Sequence, residues 1–130
     1  MCGREPRPPP AHRWTGQARG FSLDVSNFGS TADQSAYAHR IGAALDHPTP
    51  YVVDVGRNGR GSWSGPLEWC NPPGRALGAA PTTAPADPLA DALLWVKPPG
   101  ESDGRCRPGE PAAGTFWVDY ALGLARAAGW

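Results

Sequence analysis

The sequence predicts an α/β fold with parallel strands and long loops, and three observations carry that prediction. An alternating run, a run of helical period and a short apolar run follow one another between residues 21 and 55, the order of a βαβ unit. A second short apolar segment, Leu89–Val96, follows the long aperiodic stretch Gly56–Pro88. Finally, Phe116–Ala128 places apolar residues at helical spacing and closes the chain.

Met1–Arg19 holds four prolines, four arginines and no apolar run. It is therefore not a secretory signal, which needs about 7–15 apolar residues. Residues 1–19 read as an unstructured leader, with a basic interaction tail as the alternative, and residues 20–130 as the folded part. Phe21–Ser26 alternates Phe-Ser-Leu-Asp-Val-Ser, a strand with Phe21, Leu23 and Val25 on one face and Asn27 at its carboxyl end. Ser30 with Asp33 resembles a capping box. Behind it Ala36, Tyr37, Ile41, Ala44 and Leu45 recur at helical spacing, and the helix should stop near Asp46–His47, before Pro48. Tyr51–Val55 is the signature of a buried parallel strand. Gly56–Pro88 predicts a loop, and loops of that length are uncommon unless functional or disordered. Leu89–Val96 predicts a third strand that delivers Lys97 at its carboxyl end. In Phe116–Ala128 the residues Trp117, Tyr120, Ala121, Leu124 and Ala128 share one helical face.

Composition bounds what this fold can do. At 130 residues the chain supports one modest core but not a complete α/β barrel, which takes roughly 200 residues or more. Formal net charge is zero, so electrostatics gives no case for a nucleic acid or a membrane surface as partner. Pro 16 and Gly 17 lie near the level at which disorder becomes plausible, but six tryptophans demand burial or stacking and argue for order. His12, His39 and His47 lack metal-ligand spacing, and no phosphate-cradling glycine loop is present, so no metal or cofactor is expected.

The segment Trp95–Gly104, W-V-K-P-P-G-E-S-D-G, is the most informative. Its Lys97 is the single lysine beside 11 arginines, so this position calls for a compact ammonium rather than a planar fork. With Glu101 and Asp103 it puts one cation and two carboxylates on a loop stiffened by proline and glycine. That set suits hydroxyl-rich ligands and general-base chemistry, or a solvated surface turn.

A second segment, Glu68–Gly78, reads E-W-C-N-P-P-G-R-A-L-G. Preceded by G-F-S-L-D-V-S-N-F and V-V-D-V-G-R-N-G and followed by D-P-L-A-D-A-L-L-W-V-K-P-P-G-E-S-D-G, it resembles glycoside hydrolase family 6 from about Gly20 to Ala128. That family comprises inverting endoglucanases and cellobiohydrolases acting on β-1,4-glucan. The resemblance covers the C-terminal portion of the family's catalytic domain. The fold it implies is a partial, distorted parallel β/α barrel with long loops.

The resemblance also implies roles. Asp103 matches the aspartate proposed for the base side of an inverting glycosidase. Lys97 and Glu101 match a sugar-binding pair, and Trp69 a tryptophan on which a glucosyl ring stacks; Trp63, outside that match, is a candidate neighbouring platform. Asn27 matches an asparagine that hydrogen-bonds the glucan. Cys70 and Cys106 match a disulfide joining two active-site loops, which fits an exported parent protein; Cys2 has no evident partner. Asp54, Arg57 and Asn58 look structural, with the aspartate expected to pair with the arginine. The family's general acid belongs to an N-terminal half to which nothing here corresponds, so this chain is expected to be inactive by itself. The function expected of the parent is hydrolysis of β-1,4-glucosidic bonds in cellulose, β-glucan or cello-oligosaccharides. The rival is a non-catalytic β-glucan-binding module.

Overall fold

The computed structural model describes residues 18–130, so most of the leader, with Cys2 and His12, lies outside the described residues. Three parallel strands, β1 (Phe21–Leu23), β2 (Tyr51–Asp54) and β3 (Ala90–Leu94), form one sheet in the order β1-β2-β3. Helix α1 (Thr31–Ala44) connects β1 to β2, and α2 (Val118–Ala127) closes the chain. Phe21 pairs with Tyr51 and Leu23 with Val53; Val53 in turn pairs with Leu93 and Asp54 with Leu94. The central strand β2 supplies Tyr51 and Val53 to the core, with Val55 just beyond it, where they meet Ala38 of α1 and Ala90 of β3.

Local chemistry sets the boundaries. The Ser30 hydroxyl accepts the Asp33 N–H at 3.1 Å while donating to the Asp33 carboxylate at 2.7 Å, so the expected cap starts α1. The helix ends where Asp46 turns left-handed, φ 60°. β1 is shorter than the alternation predicts. Asp24 and Ser26 both take left-handed φ, 60° and 64°, and the Asn27 N–H closes a turn on the Asp24 carbonyl at 2.8 Å. Val25 therefore leaves the face of Phe21 and Leu23 and stands exposed. β3 likewise stops before Val96, because the Val96 and Lys97 N–H groups turn away to the Asp54 carboxylate.

The stretch between Asp54 and Ala90 holds no helix or strand, as expected, yet it is well anchored. Thr82 forms an antiparallel bridge with Leu93, and the Trp95 indole donates to the Ala79 carbonyl at 2.9 Å. Gly78 passes so close to Val55 that a Cβ there would overlap its carbonyl oxygen, which explains the final glycine of N-P-P-G-R-A-L-G. Trp117, just before α2, and Tyr120, Ala121 and Leu124 within it turn inward as the spacing predicts, whereas Ala128 lies past the end of the helix and is exposed.

Candidate functional site

The site is built at the carboxyl ends of the strands, and the Asp54 carboxylate organises it. Buried at the end of β2, it accepts four backbone N–H groups. Oδ1 takes Gly56 at 3.0 Å and Val96 at 3.3 Å; Oδ2 takes Ser26 at 3.0 Å and Lys97 at 3.1 Å. One charge thus ties together the three loops that leave β1, β2 and β3. Arg57 is not its partner, contrary to the expectation from sequence, since N–H donors already satisfy both carboxylate oxygens.

Arg57 reaches Asp103 instead. Its guanidinium, on a residue only 2% exposed, donates to Asp103 Oδ2 at 2.8 Å and to Oδ1 at 3.0 Å. It also donates to the Ser26 carbonyl and lies over the Phe28 ring, 4.2 Å from the centroid. The Lys97 ammonium bonds Asp103 Oδ1, and the Asn71 N–H bonds Oδ2 at 2.8 Å. Burial opposes ionisation of Asp103, but the bonds from Arg57, Lys97 and Asn71 outweigh it and hold the carboxyl below its ordinary value. Lys97 therefore pairs with Asp103 rather than with Glu101, whose carboxylate makes no hydrogen bond among the described residues.

The second loop is fastened by the Cys70–Cys106 disulfide, with Cα atoms 6.3 Å apart across a separation of 36 residues. Beside it, Asn71 and Asp103 form a reciprocal pair. The Asp103 N–H donates to Asn71 Oδ1 at 2.7 Å, while Asn71 Nδ2 donates to the Gly104 carbonyl and to Glu110. Glu110 also accepts the Cys106 and Arg107 N–H groups. Burial would raise its carboxyl, but these bonds lower it below the usual range. Sulfur atoms of Cys70 and Cys106 lie with a Glu110 oxygen in a group of metal-ligand type, but the two sulfurs are bonded to each other.

Two adjoining clefts result. One, of about 630 Å³, is lined by Asn27, Trp69, Lys97, Glu101 and Asp103, so the structure gathers every candidate catalytic and substrate-binding residue from three separated segments. The other, of about 460 Å³, shares Asn27 and Trp69 with the first and adds Asp24, Trp63 and Glu68. Trp69 is 57% exposed and offers its ring to both. Trp63 is half-buried, with the Arg107 guanidinium 5.7 Å from its ring centroid and Gly65 pressed against its six-membered ring. Sequence reasoning missed Asn71, Glu110, Arg107 and Asp24. For Asn71 and Glu110 one signal existed, a polar side chain close to each bridged cysteine.

The model of the family described as Glycosyl hydrolases family 6 matches residues 11–128, beginning inside the segment that composition sets apart. Endoglucanase A of Cellulomonas fimi is 51% identical over 113 residues, covering 87% of this chain and 24% of its own length. Endoglucanase 1 of Streptomyces halstedii is 46% identical over 110 residues, covering 81% of this chain and 32% of its own length. Among solved structures, the endoglucanase Cel6 from Mycobacterium tuberculosis, in complex with methyl-cellobiosyl-4-deoxy-4-thio-β-D-cellobioside, is 54% identical with a TM-score of 0.84. That similarity covers 89% of this chain and 40% of that one. The chain thus spans about a quarter to a third of the curated relatives' length. Its parallel sheet and flanking helices form a partial barrel of the kind these enzymes contain.

Proposed function

We propose that this chain, which belongs to glycosyl hydrolases family 6, forms the water-side wall of a β-1,4-glucan cleft in an inverting glucanase. The observation that carries the proposal is the shared cleft of Trp69, Asn27, Lys97, Glu101 and Asp103. An exposed indole face accepts the C–H face of a glucosyl ring. Glu101, with no partner of its own among the described residues, accepts from ring hydroxyls, and Asn27 can both donate and accept. An exported parent protein that cuts cellulose or cello-oligosaccharides follows as part of the same proposal, and the disulfide suits it.

Asp103 fills the base-side role in a particular way. Two carboxylate oxygens offer about four acceptor positions, and four N–H groups occupy them here. In this state Asp103 is a fixed negative charge and a weak Brønsted base. When Lys97 turns the N–H that bonds Oδ1 to a glucan hydroxyl instead, Oδ1 gains room for the attacking water, so sugar binding and water activation become coupled through one ammonium. Protonation of the leaving oxygen calls for a carboxylic acid on the opposite face of the sugar. We assign that role to no described residue, and the chain by itself is expected to bind glucan without turnover.

Affinity electrophoresis in a soluble β-glucan gel tests binding, with Trp69→Ala as the variant expected to lose retardation. Fusion to the N-terminal half of a family 6 catalytic domain tests chemistry. Hydrolysis restored in the fusion and abolished by Asp103→Ala supports the enzyme reading; binding with no restored hydrolysis leaves a glucan-binding module.

A further inference from the structure

Among the described residues, one buried side-chain oxygen has no hydrogen-bond partner: Oδ2 of Asp24. Its residue is not idle. Asp24 ends β1 in a left-handed conformation, φ 60°, and holds the following turn at two points. Its carbonyl accepts the Asn27 N–H at 2.8 Å, and its Oδ1 accepts the Gly29 N–H, also at 2.8 Å. Between those two bonds the chain presents Asn27 to both clefts.

We propose that Asp24 is a positioning residue of the glucan site, holding Asn27 in place while Oδ2 carries a proton and releasing the turn when that proton leaves. The inference rests on the glucan-binding reading above and deepens it. Oδ2 is closed off from solvent, so it does not touch the sugar and acts through Asn27. An ionised oxygen there would be a buried charge without a donor, a state that proton uptake or rearrangement of the turn makes less costly.

Its electrostatic surroundings agree. Asp54 faces Asp24 from the end of β2 and Arg57 from the loop beyond, while Tyr37 of α1 and Glu68 line the same cleft. Burial pushes the carboxyl up to about 7; the Gly29 bond lowers it, the Asp54 charge raises it and Arg57 lowers it. A proton therefore leaves Asp24 in the neutral range, where exposed aspartates have long been ionised.

The test is a carbon-detected NMR titration of the side-chain carboxyls in the whole chain, followed by cellotetraose binding at about pH 5.5 and about pH 8.5. The Asp24 carboxyl should titrate near neutrality, with the Asn27 and Gly29 amide signals moving at the same midpoint. Cellotetraose should bind several-fold more weakly at the higher pH. Asp24→Asn keeps the carbonyl for Gly29 and mimics the protonated acid, so its affinity should no longer change between the two conditions. An Asp24 carboxyl that titrates in the ordinary aspartate range, or an Asn27 amide indifferent to that titration, overturns the proposal. If cellotetraose does not bind at either pH, the glucan reading fails, while the titration still reports on Asp24 by itself.

Discussion

Arg57 and Asp103 stand 46 residues apart in sequence and meet through two parallel hydrogen bonds of 2.8 and 3.0 Å, in a pocket that leaves their side chains 2% and 7% exposed. A fork of that shape fixes the carboxylate in both position and plane. Removing one partner strands the other as an uncompensated buried charge. Asp103→Ala is therefore expected to lower stability by roughly 3–5 kcal/mol, read from the shift of the urea midpoint. A loss below about 1 kcal/mol would mean that the pair is solvated in solution.

Asp54→Ala should be at least as damaging. The substitution leaves four backbone N–H groups without an acceptor, one or more in each of three loops. A cost of roughly 3–5 kcal/mol is expected, with hydrogen exchange rising first at Ser26, Gly56 and Lys97. Exchange confined to a single loop would show that Asp54 does not join them.

Opening the Cys70–Cys106 bond by paired replacement with serine should cost roughly 3–4 kcal/mol on the chain-entropy account of a closed loop of this length. Because Asn71 adjoins Cys70 and bonds Asp103, the variant should also weaken cello-oligosaccharide binding. Denaturant melts with and without reductant check the first statement, and calorimetry the second.

Trp69→Ala should separate binding from folding. Its ring is 57% exposed, so the stability change should stay within about 0.5 kcal/mol. Loss of a stacking platform should weaken cello-oligosaccharide binding by roughly 1–2 kcal/mol, as measured by calorimetry. A variant that unfolds readily but binds normally would place Trp69 in the core.

Two aspartates give opposite dependences on pH. Asp103 is held below its ordinary value, so its contribution to stability is present above about pH 4 and is lost on further acidification. Asp24 is raised to about 7, so the folded state retains a proton that the unfolded chain has lost, and stability falls as pH rises from about 4 through about 7. Thermal melts across this range should show Asp24→Asn gaining on the parent chain as pH rises. Asp103→Asn should lose less than the parent below about pH 4. Parallel curves for all three proteins would contradict both assignments.

Much of the fold was legible because its signals are local. The Ser30–Asp33 cap, the apolar run of β2 and the inward face of α2 each depend on neighbours within a few residues. The end of β1 was not legible, since alternation through Val25 continues past the left-handed turn at Asp24. In the site, Trp69, Lys97, Glu101 and Asp103 could be named from family resemblance, with Asn27 less distinctively. What Lys97 and Arg57 actually bind could not. A charged side chain on a loop has many candidate partners, and only the docking of loops chooses among them.

Periodicity, caps and motifs are properties of short stretches of chain, so the fold class, the order of the elements, the family and five residues of the cleft, Asn27, Trp69, Lys97, Glu101 and Asp103, were legible without any long-range contact. Long-range contacts fixed the rest: Arg57 and Lys97 converge on Asp103, Asp54 gathers three loops through backbone N–H groups, and Asp24 keeps one buried oxygen without a partner among the described residues. Burial and hydrogen-bond satisfaction belong to contacts between segments distant in sequence, which no short stretch encodes. Those contacts form only when the strand ends meet.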